Sequence, residues 1–454
     1  MAKYDKYAEY QDSGIEWLGE IPSHWQSVPC RGVVEHIVEK NTDNALSNYL
    51  SLMANVGVIR YEDKGDIGNK KPEDLSKCKI VRKGQLVINS MNYSIGSYGM
   101  SPYDGICSPV YIVLQSLSGV YLERFALRIF ENSFFQKYLS TFGNGILEHR
   151  SAINWDDIKG KYVPLPPLDE QKNILNFLDH ETTQIDTLIV KQEKLIELLK
   201  EKRQAVISHA VTKGVNPDVR MKDSGVEWLG KVPEHWRVCR LKHVGDIQSG
   251  IAKGKDLTGK KSISVPMLRV ANVQDGYLNL DDVHQINIEP EQLERYLLQD
   301  GDVLMNEGGD NDKLGRGAVW RSEVENCIHQ NHVFAIRTTG IESEWLDILT
   351  RASYAKFHFF RQSKQSTNLA SISATNIKET PILVPPKQER ELILKFLHEQ
   401  FDRFSKLELG CYQQVGLLKE RRTALISSAV TGKIDVRNWQ NPNKNNEANT
   451  ELGA

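Results

Sequence analysis

Two stretches of the chain place apolar residues at seven-residue spacing over several turns. In the first, Ile174, Leu188 and Leu195 share one heptad position, and Leu178, Ile185, Leu199 and Val206 share the other, with charged flanks such as KQEKLIELLKEKR. Neither Pro nor Gly interrupts it before Lys213–Gly214 and Asn216–Pro217. The pattern predicts a coiled-coil helix to about Thr212, spanning roughly 60 Å at about 1.5 Å per residue. The prolines of VPLPPLDEQ (163–171) stop the strand before it, Asp169 reads as a helix cap, and Glu170 suits the first turn. The second stretch follows ILVPPKQER (382–390) and runs to about Val430 in the same register: Ile174/Ile393, Leu178/Leu397, Ile185/Phe404, Leu188/Leu407, Leu199/Leu418 and Val206/Leu425.

Between these stretches the apolar runs are short and bounded by Gly, Asn and Asp, as strands are. IVRKGQLVINS (80–90), SPVYIVL (108–114), VPMLRVANV (265–273), GDVLMNE (301–307) and NHVFAIR (331–337) are the clearest. ERFALRIFENSFFQKYLSTF (123–142) has helical spacing and reads as one amphipathic helix, closed by a glycine turn at 143–145. RASYAKFHFFRQSK (351–364) reads as a helix of the later region.

A repeat organises these elements. DSGIEWLGEIPSHW (12–25) returns as DSGVEWLGKVPEHW (223–236), identical at ten of fourteen positions and offset by 211 residues. Pro166-Pro167 maps onto Pro385-Pro386, and LKEKRQAVISHAVT (199–212) onto LKERRTALISSAVT (418–431), both offset by 219. The helices match and the globular parts diverge, so the chain is a duplicated domain. Each helix exposes a heptad stripe that needs a partner. Antiparallel pairing with the other helix is the simplest solution, and it relates the halves by a pseudo-two-fold axis. The paired Trp residues are expected to anchor each domain against its own core or the helices.

Composition narrows the function. At 454 residues, 40% apolar and 26% charged, the chain reads as an ordinary globular protein of two to four domains. No apolar run is long enough to span a membrane, and the N-terminus lacks a signal-peptide core, so a cytoplasmic protein is expected. Six scattered cysteines without CxxC argue for reduced thiols. A net charge of −2 confines any nucleic-acid surface to local patches.

Catalytic signatures are missing. GKDLTGKK (254–261) has phosphate-loop spacing, but Lys261 stands where Ser or Thr would hold Mg²⁺, so it reads as an exposed basic loop. HExxH, GxSxG and the Asn/Asp-Pro-Pro-Tyr/Phe motif of amino-methyltransferases are all absent. His24 and His235 read as structural, and His329 and His332 as a poor metal pair. What remains is polar loops on a rigid frame. NSMNYSIGSYG (89–99) and NEGGDNDKLGRG (306–317) each follow a strand, begin with Asn and carry glycines that permit close approach to a partner. With neighbouring cations they give the candidate DNA-binding residues: Lys70, Lys71, Asn89, Asn92, Tyr93, Ser94, Lys260, Lys261, Arg269, Asn306, Asp310, Lys313, Arg316 and Arg361. Arg and Lys there suit guanine edges or phosphates.

DSGxEWLGxxPxHW opening each half, a Pro-Pro helix start, and LKExRxAxISxAVT closing each helix together resemble the specificity subunit of type I restriction–modification enzymes, over nearly the whole chain. LLQDGDVLMNEGGDNDKLGRGAVW (297–320) also looks like a stretch of that family's recognition domains. PPKQER departs slightly from PPLDEQ, with no functional consequence foreseen. The resemblance implies an α+β fold of two mixed α/β target-recognition domains separated by two long helices that form an antiparallel coiled coil, a pseudo-two-fold internal repeat. The expected boundaries are 1–160 and 221–380 for recognition, 161–220 and 381–437 for the helical spacers, and a disordered tail over 438–454. It implies a non-catalytic reader of a split double-stranded DNA target, with the helices setting the unread gap. Two modification (methyltransferase) subunits would dock on the helices and restriction (translocase/nuclease) subunits would join them. S-adenosylmethionine, ATP and Mg would sit on those partners, with no cofactor on this chain. The alternative is a scaffold whose helix pair binds partner helices with no DNA role.

Overall fold

The computed structural model describes residues 4–67, 70–143, 152–252, 259–309, 314–365 and 370–442. They divide into two compact units, one built from residues 1–192 with 413–454 and the other from 193–412. The long helices run Leu168–Lys213 and Lys387–Val430, and each contributes a segment to both units. Because the first helix starts at Leu168, straight after the Pro pair, Asp169 is not its cap. It sits exposed in the first turn, 3.7 Å from the Lys172 ammonium.

Within each unit the two helix segments run antiparallel. In unit 1, Phe177 meets Trp439, past the end of the second helix, with ring centroids 5.6 Å apart, and further along the first helix Asp186 accepts from Arg422 Nε at 3.0 Å. In unit 2, Arg203 lies 4.8 Å from the Phe401 ring centroid, while Gly214 approaches Glu389. The buried stripe differs from the expected one at one position. Leu178, Ile185 and Leu199 face inward, but Thr182, Ile189 and Ile196 hold the other heptad position, and Leu188 and Leu195 are exposed. Leu407, the partner of Leu188 across the repeat, is exposed as well. The physical reason is the adjacent apolar pair Leu188-Ile189: only one of two neighbours 100° apart can lie on the seam. The line through Leu188 begins buried at Ile174 and passes through half-buried Glu181, which accepts from the Tyr4 hydroxyl at 2.9 Å, before it reaches the surface.

Each unit builds the same inner domain. In unit 1 a hairpin, Tyr10–Asp12 with Glu20–Pro22, carries the first motif copy, and Gln26–Pro29 pairs antiparallel with Tyr162–Leu165 just before the helix. Behind them stands a four-stranded antiparallel sheet in the order Val34–Ile37, Tyr111–Ser116, Leu86–Asn89, Tyr98–Met100. Unit 2 repeats this with the hairpin Met221–Asp223/Lys231–Pro233, the pair Arg237–Arg240/Pro381–Val384, and the sheet Gly245–Ser249, Val333–Thr338, Val303–Asn306, Gly317–Val319.

The sheet is a wall between two cores, which explains the unbroken apolar runs LVI and VLM. Leu86 and Ile88 pack toward the motif and long helices, whereas Val87 joins an outer cluster with Leu50, Leu52 and Val58. In unit 2, Val303 and Met305 face inward and Leu304 outward. Alternation is present in the strand, but both faces are covered, so it leaves no polar signal.

The expected helix 123–142 is two helices, Glu123–Glu131 and Ser133–Ser140. Asn132 breaks it: its backbone is extended (φ −65°, ψ 121°), and its side-chain oxygen accepts from the Phe134 and Phe135 amides, a stronger local demand than the amphipathic pattern. Unit 2 breaks at the matching place, Ala352, between Ser343–Arg351 and Ser353–Gln362. Outside the shared sheet the units differ. Unit 1 adds the hairpin Leu50–Met53/Gly57–Arg60, and unit 2 adds a three-stranded sheet of His284–Ile288, Ile263–Leu268 and Ile328–His329.

Candidate nucleic-acid interface

The repeated motif fastens each inner domain to both helices. In unit 1 the carboxylate of Glu170, in the first turn of the first long helix, is buried. Trp25 Nε1–H and the Tyr7 hydroxyl both donate to its Oε2 at 2.9 Å, and His24 Nε2 lies 2.6 Å from Oε1. Burial and the neighbouring Glu170 charge push the Tyr7 phenol well above its ordinary pKa. The same motif also touches the end of the second long helix. Lys433 donates to the Glu20 carbonyl, Tyr10 donates to the Gly432 carbonyl at 3.0 Å, and a side chain on Gly432 (φ +70°) would strike Pro22 and Trp25. In unit 2, His235 Nε2 lies 2.6 Å from Glu389 Oε2, and Lys213, at the end of the first helix, donates to the Lys231 carbonyl. Asp218 stands where the first copy has Tyr7, and Trp236 Nε1 has no hydrogen-bond partner among the described residues.

The departure PPKQER is compensated. Gln171 is buried, its amide donating to the Pro166 and Val120 carbonyls and accepting from Leu122 N–H. Arg390, at the same place in unit 2, donates to the Pro385 carbonyl at 2.6 Å and forks onto Glu342, which replaces the backbone amide as its partner.

The loops expected to face DNA are partly spent inside the domains. Asn89 is buried, its Oδ1 accepting from Met91 N–H, and Tyr93 is a core residue whose hydroxyl donates to the Phe130 carbonyl at 2.7 Å. Asn306 is also buried and donates from Nδ2 to the Val273 and Val270 carbonyls at 2.9 and 3.3 Å. These three assignments are corrected: the side chains hold the turns, because a polar group following a fully buried strand must find partners within the fold. The loop glycines are likewise used internally. A Cβ on Gly99 would meet the Gly57 backbone at 2.8 Å, and one on Gly315 (φ +73°) would meet Phe359 at 2.5 Å.

Of the other candidates, Asn92 is half-buried, while Lys70 and Lys261 are exposed. Lys71 donates to the Ser47 carbonyl at 3.3 Å, and Lys260 pairs with Glu289 at 3.1 Å. Arg269 pairs with Asp282 at 2.7 Å, and Arg316 Nη1 lies 3.5 Å from Gln274 Oε1. Arg361 lies over the Trp228 ring at 5.2 Å, beside the motif. Asp310, Lys313 and the side chain of Ser94 lie outside the described residues, as does most of 254–261. The 269–282 loop therefore brings Arg269, Asn306 and Arg316 together, and leaves Lys260 and Arg361 elsewhere. His329 is buried against the Val333 carbonyl, with burial lowering its pKa, and His332 pairs with Glu307. No group of three metal-ligating side chains forms among the described residues.

The family model of the type I restriction modification DNA specificity domain matches residues 22–198 and 233–416. The chain belongs to this family. The specificity-domain matches begin within each motif copy and run well into each long helix. The chain is 25% identical over 442 residues to the type I restriction enzyme MjaVIII specificity subunit of Methanocaldococcus jannaschii, covering 92% of this chain and 95% of that one. It is 23% identical over 323 residues to the EcoKI specificity subunit of Escherichia coli K12, covering 67% of this chain. The match spans 65% of the length of that relative and of the StySPI specificity subunit of Salmonella potsdam. The fold also matches a chain solved in work on complex assembly and conformational transition of the type I R-M system, with TM-score 0.68 and 18% identity over 91% of this chain and 99% of that one. The HsdS subunit from Thermoanaerobacter tengcongensis matches at TM-score 0.50 and 17% identity, over 91% and 98%. These likenesses show the specificity-subunit fold. Sequence reasoning missed Glu170 and Glu389 as the residues that the repeated motif of this chain grips. The available signal was the constant pairing of His-Trp with a Glu three residues after the second proline of the Pro pair.

Proposed function

We propose that the chain is the sequence-specific DNA-recognition subunit of a type I restriction–modification complex, with no catalysis of its own. The observation that carries this reading is the duplicated fastening: each inner domain is tied to the start of one long helix by a His/Glu contact and to the end of the other by a lysine donating to a motif carbonyl, while the segments outside the shared sheet differ. Such a frame suits two readers of unlike half-sites whose separation the helices fix. Residues 1–160 and 221–380 would be the readers and 161–220 and 381–437 the spacers. Arg269 and Arg316, beside one loop, are donors for bases or phosphates of the second half-site.

Partner docking is supported by apolar residues exposed at matching positions of both helices: Leu188/Leu407, Val190/Leu409 and Leu198/Leu417. A structural role in the helix pair does not require them, and two modification subunits would cover two equivalent sets. S-adenosylmethionine, ATP and Mg belong to those and the restriction subunits. No helix is long and apolar enough to cross a membrane among the described residues, and a cytoplasmic setting fits a DNA-modifying complex. The test is gel-shift of the full chain with its methyltransferase partner on genomic fragments, followed by mapping of methylated adenines. A bipartite, salt-sensitive target is expected; binding without sequence preference would rule the reading out.

A further inference from the structure

The repeat supplies an internal control on where specificity resides. The strand pairs Leu86–Asn89 with Tyr98–Met100 and Val303–Asn306 with Gly317–Val319 occupy matching places in the two sheets, and the asparagines that close their first strands, Asn89 and Asn306, are both buried. Elements common to both copies cannot by themselves distinguish two half-sites. The segments that differ lie on the outer side of the sheet. In unit 1 these are residues 40–82, which contain the hairpin Leu50–Met53/Gly57–Arg60 and the turn Tyr61–Lys64.

That outer region contains a concave pocket of about 430 Å³, lined by none of the long-helix residues. Its charged groups are the ammonium ions of Lys64, Lys70 and Lys77 against the single carboxylate of Asp74. Asp74 is engaged by the Ser76 amide and hydroxyl, which hold its pKa below the usual carboxylate range. Lys64 is only 8% exposed, unusual for a lysine, and among the described residues its ammonium gives one hydrogen bond, to the Ile67 carbonyl at 2.6 Å. Its ammonium lies over the Tyr61 ring, 4.7 Å from the centroid. An ammonium has three N–H donors, so Lys64 can donate to a ligand while keeping its bond to the Ile67 carbonyl. Tyr49, Tyr111 and Leu52 supply an apolar floor, and Ser51 and Ser108 add hydroxyls. The size suits one nucleotide unit rather than an extended peptide.

We propose that this pocket seats a phosphodiester and its deoxyribose from the first half-site, with Lys64 as the fixed donor, Lys70 and Lys77 closing over the phosphate, and the apolar floor against the sugar. The proposal rests on the DNA-recognition reading above and moves the contact from the shared hairpin to the outer insert of unit 1. The contact is to backbone, so it positions the domain on the duplex and weakens all sequences alike when lost.

The test uses the full chain with its methyltransferase partner and two fluorescent 30-base-pair duplexes, one carrying the mapped target and one scrambled, titrated from 50 to 200 mM KCl. Lys70→Ala with Lys77→Ala removes two exposed ammonium groups and is expected to lower the slope of log affinity against log salt by about 1.8 on both duplexes. Lys70→Arg with Lys77→Arg is expected to restore it. Lys172→Ala with Lys191→Ala, an equal charge loss on the first helix, is expected to leave it unchanged. An unaltered slope in the first pair, while wild type still selects its target, overturns the pocket and leaves the DNA reading standing. Equal loss in both alanine pairs overturns the pocket as well. Failure of the wild type to select the target overturns the DNA reading itself.

Discussion

Glu170 and Glu389 occupy the same place in the repeat but differ in what they hold. Glu170 accepts from buried Trp25 and Tyr7 and contacts His24, whereas among the described residues Glu389 has the part-exposed His235 as its one corresponding side-chain partner. Removing an acceptor from buried donors leaves them unsatisfied, so Glu170→Ala should cost on the order of 2–3 kcal/mol and Glu389→Ala less than about 1 kcal/mol. Urea unfolding of the two variants checks this; equal costs would show that the Tyr7 and Trp25 bonds contribute nothing. A second carboxylate sets a pH dependence. Asp347 is buried in unit 2 with Oδ1 unpartnered among the described residues; the Arg351 guanidinium lies at 3.4 Å, and the carboxylates of Asp275 and Glu344 act on it from nearby. Burial raises its pKa to about 6, outweighing the Arg351 charge. A carboxyl with a raised folded pKa binds more protons folded than unfolded, so it favours folding below about pH 4 and progressively loses that contribution as pH climbs through 6. The stability of Asp347→Asn relative to wild type should therefore rise between pH 4 and 7, by roughly 2–3 kcal/mol at most. Thermal unfolding across that range reads it, and a flat difference would refute the buried-carboxylate account. None of this was legible in the sequence, where Glu170 is one of two acids in a first turn and Asp347 lies ahead of the stretch read as a helix.

At the level of elements, the sequence revealed the two long helices to within a residue or two, because Pro pairs start them and the heptad stripe is sustained. It placed Ile174 correctly but put Leu188 and Leu195 on the seam instead of Ile189 and Ile196, because Leu188-Ile189 and Leu195-Ile196 are neighbouring apolar pairs and periodicity alone does not choose between them. The choice has a measurable consequence. Ile189→Ala should cost about 2–4 kcal/mol through the cavity it leaves, while Leu188→Ala should lie within about 0.5 kcal/mol of wild type. Under the docking reading Leu188→Ala should instead weaken capture of the methyltransferase partner, measurable by co-sedimentation. The inverse pattern would put Leu188 back on the seam. The strands were recognisable as apolar runs, but the two cores they separate were not, since a strand covered on both faces shows no polar alternation. The broken helix at Asn132 was missed because amphipathic spacing continues across a cap that only backbone geometry reveals.

For the molecule as a whole, both units use residues of both long helices, so matched changes in the helices act on both domains together. Deleting one heptad from each helix at matching positions shortens each by about 10.5 Å, or about three base pairs of duplex. The expected outcome is a changed gap in the methylated target with both half-sites intact; an unchanged gap would discard the helices as the ruler. Duplication itself was plain from the motif offsets, while the crossed fastening, each motif gripping the start of one helix and the end of the other, was not, since it depends on antiparallel pairing. The fastening also bears on chain continuity. In unit 1 the end of the second helix meets the opening motif only through contacts, including Asp435 N–H to the Asp5 carbonyl at 2.8 Å, whereas unit 2 has a peptide link, residues 214–222, at the corresponding place. Unit 1 thus already demonstrates a closure without a covalent join. A cut at Asn216–Pro217 should leave two fragments that co-purify as one complementing pair, each completing a domain of the other.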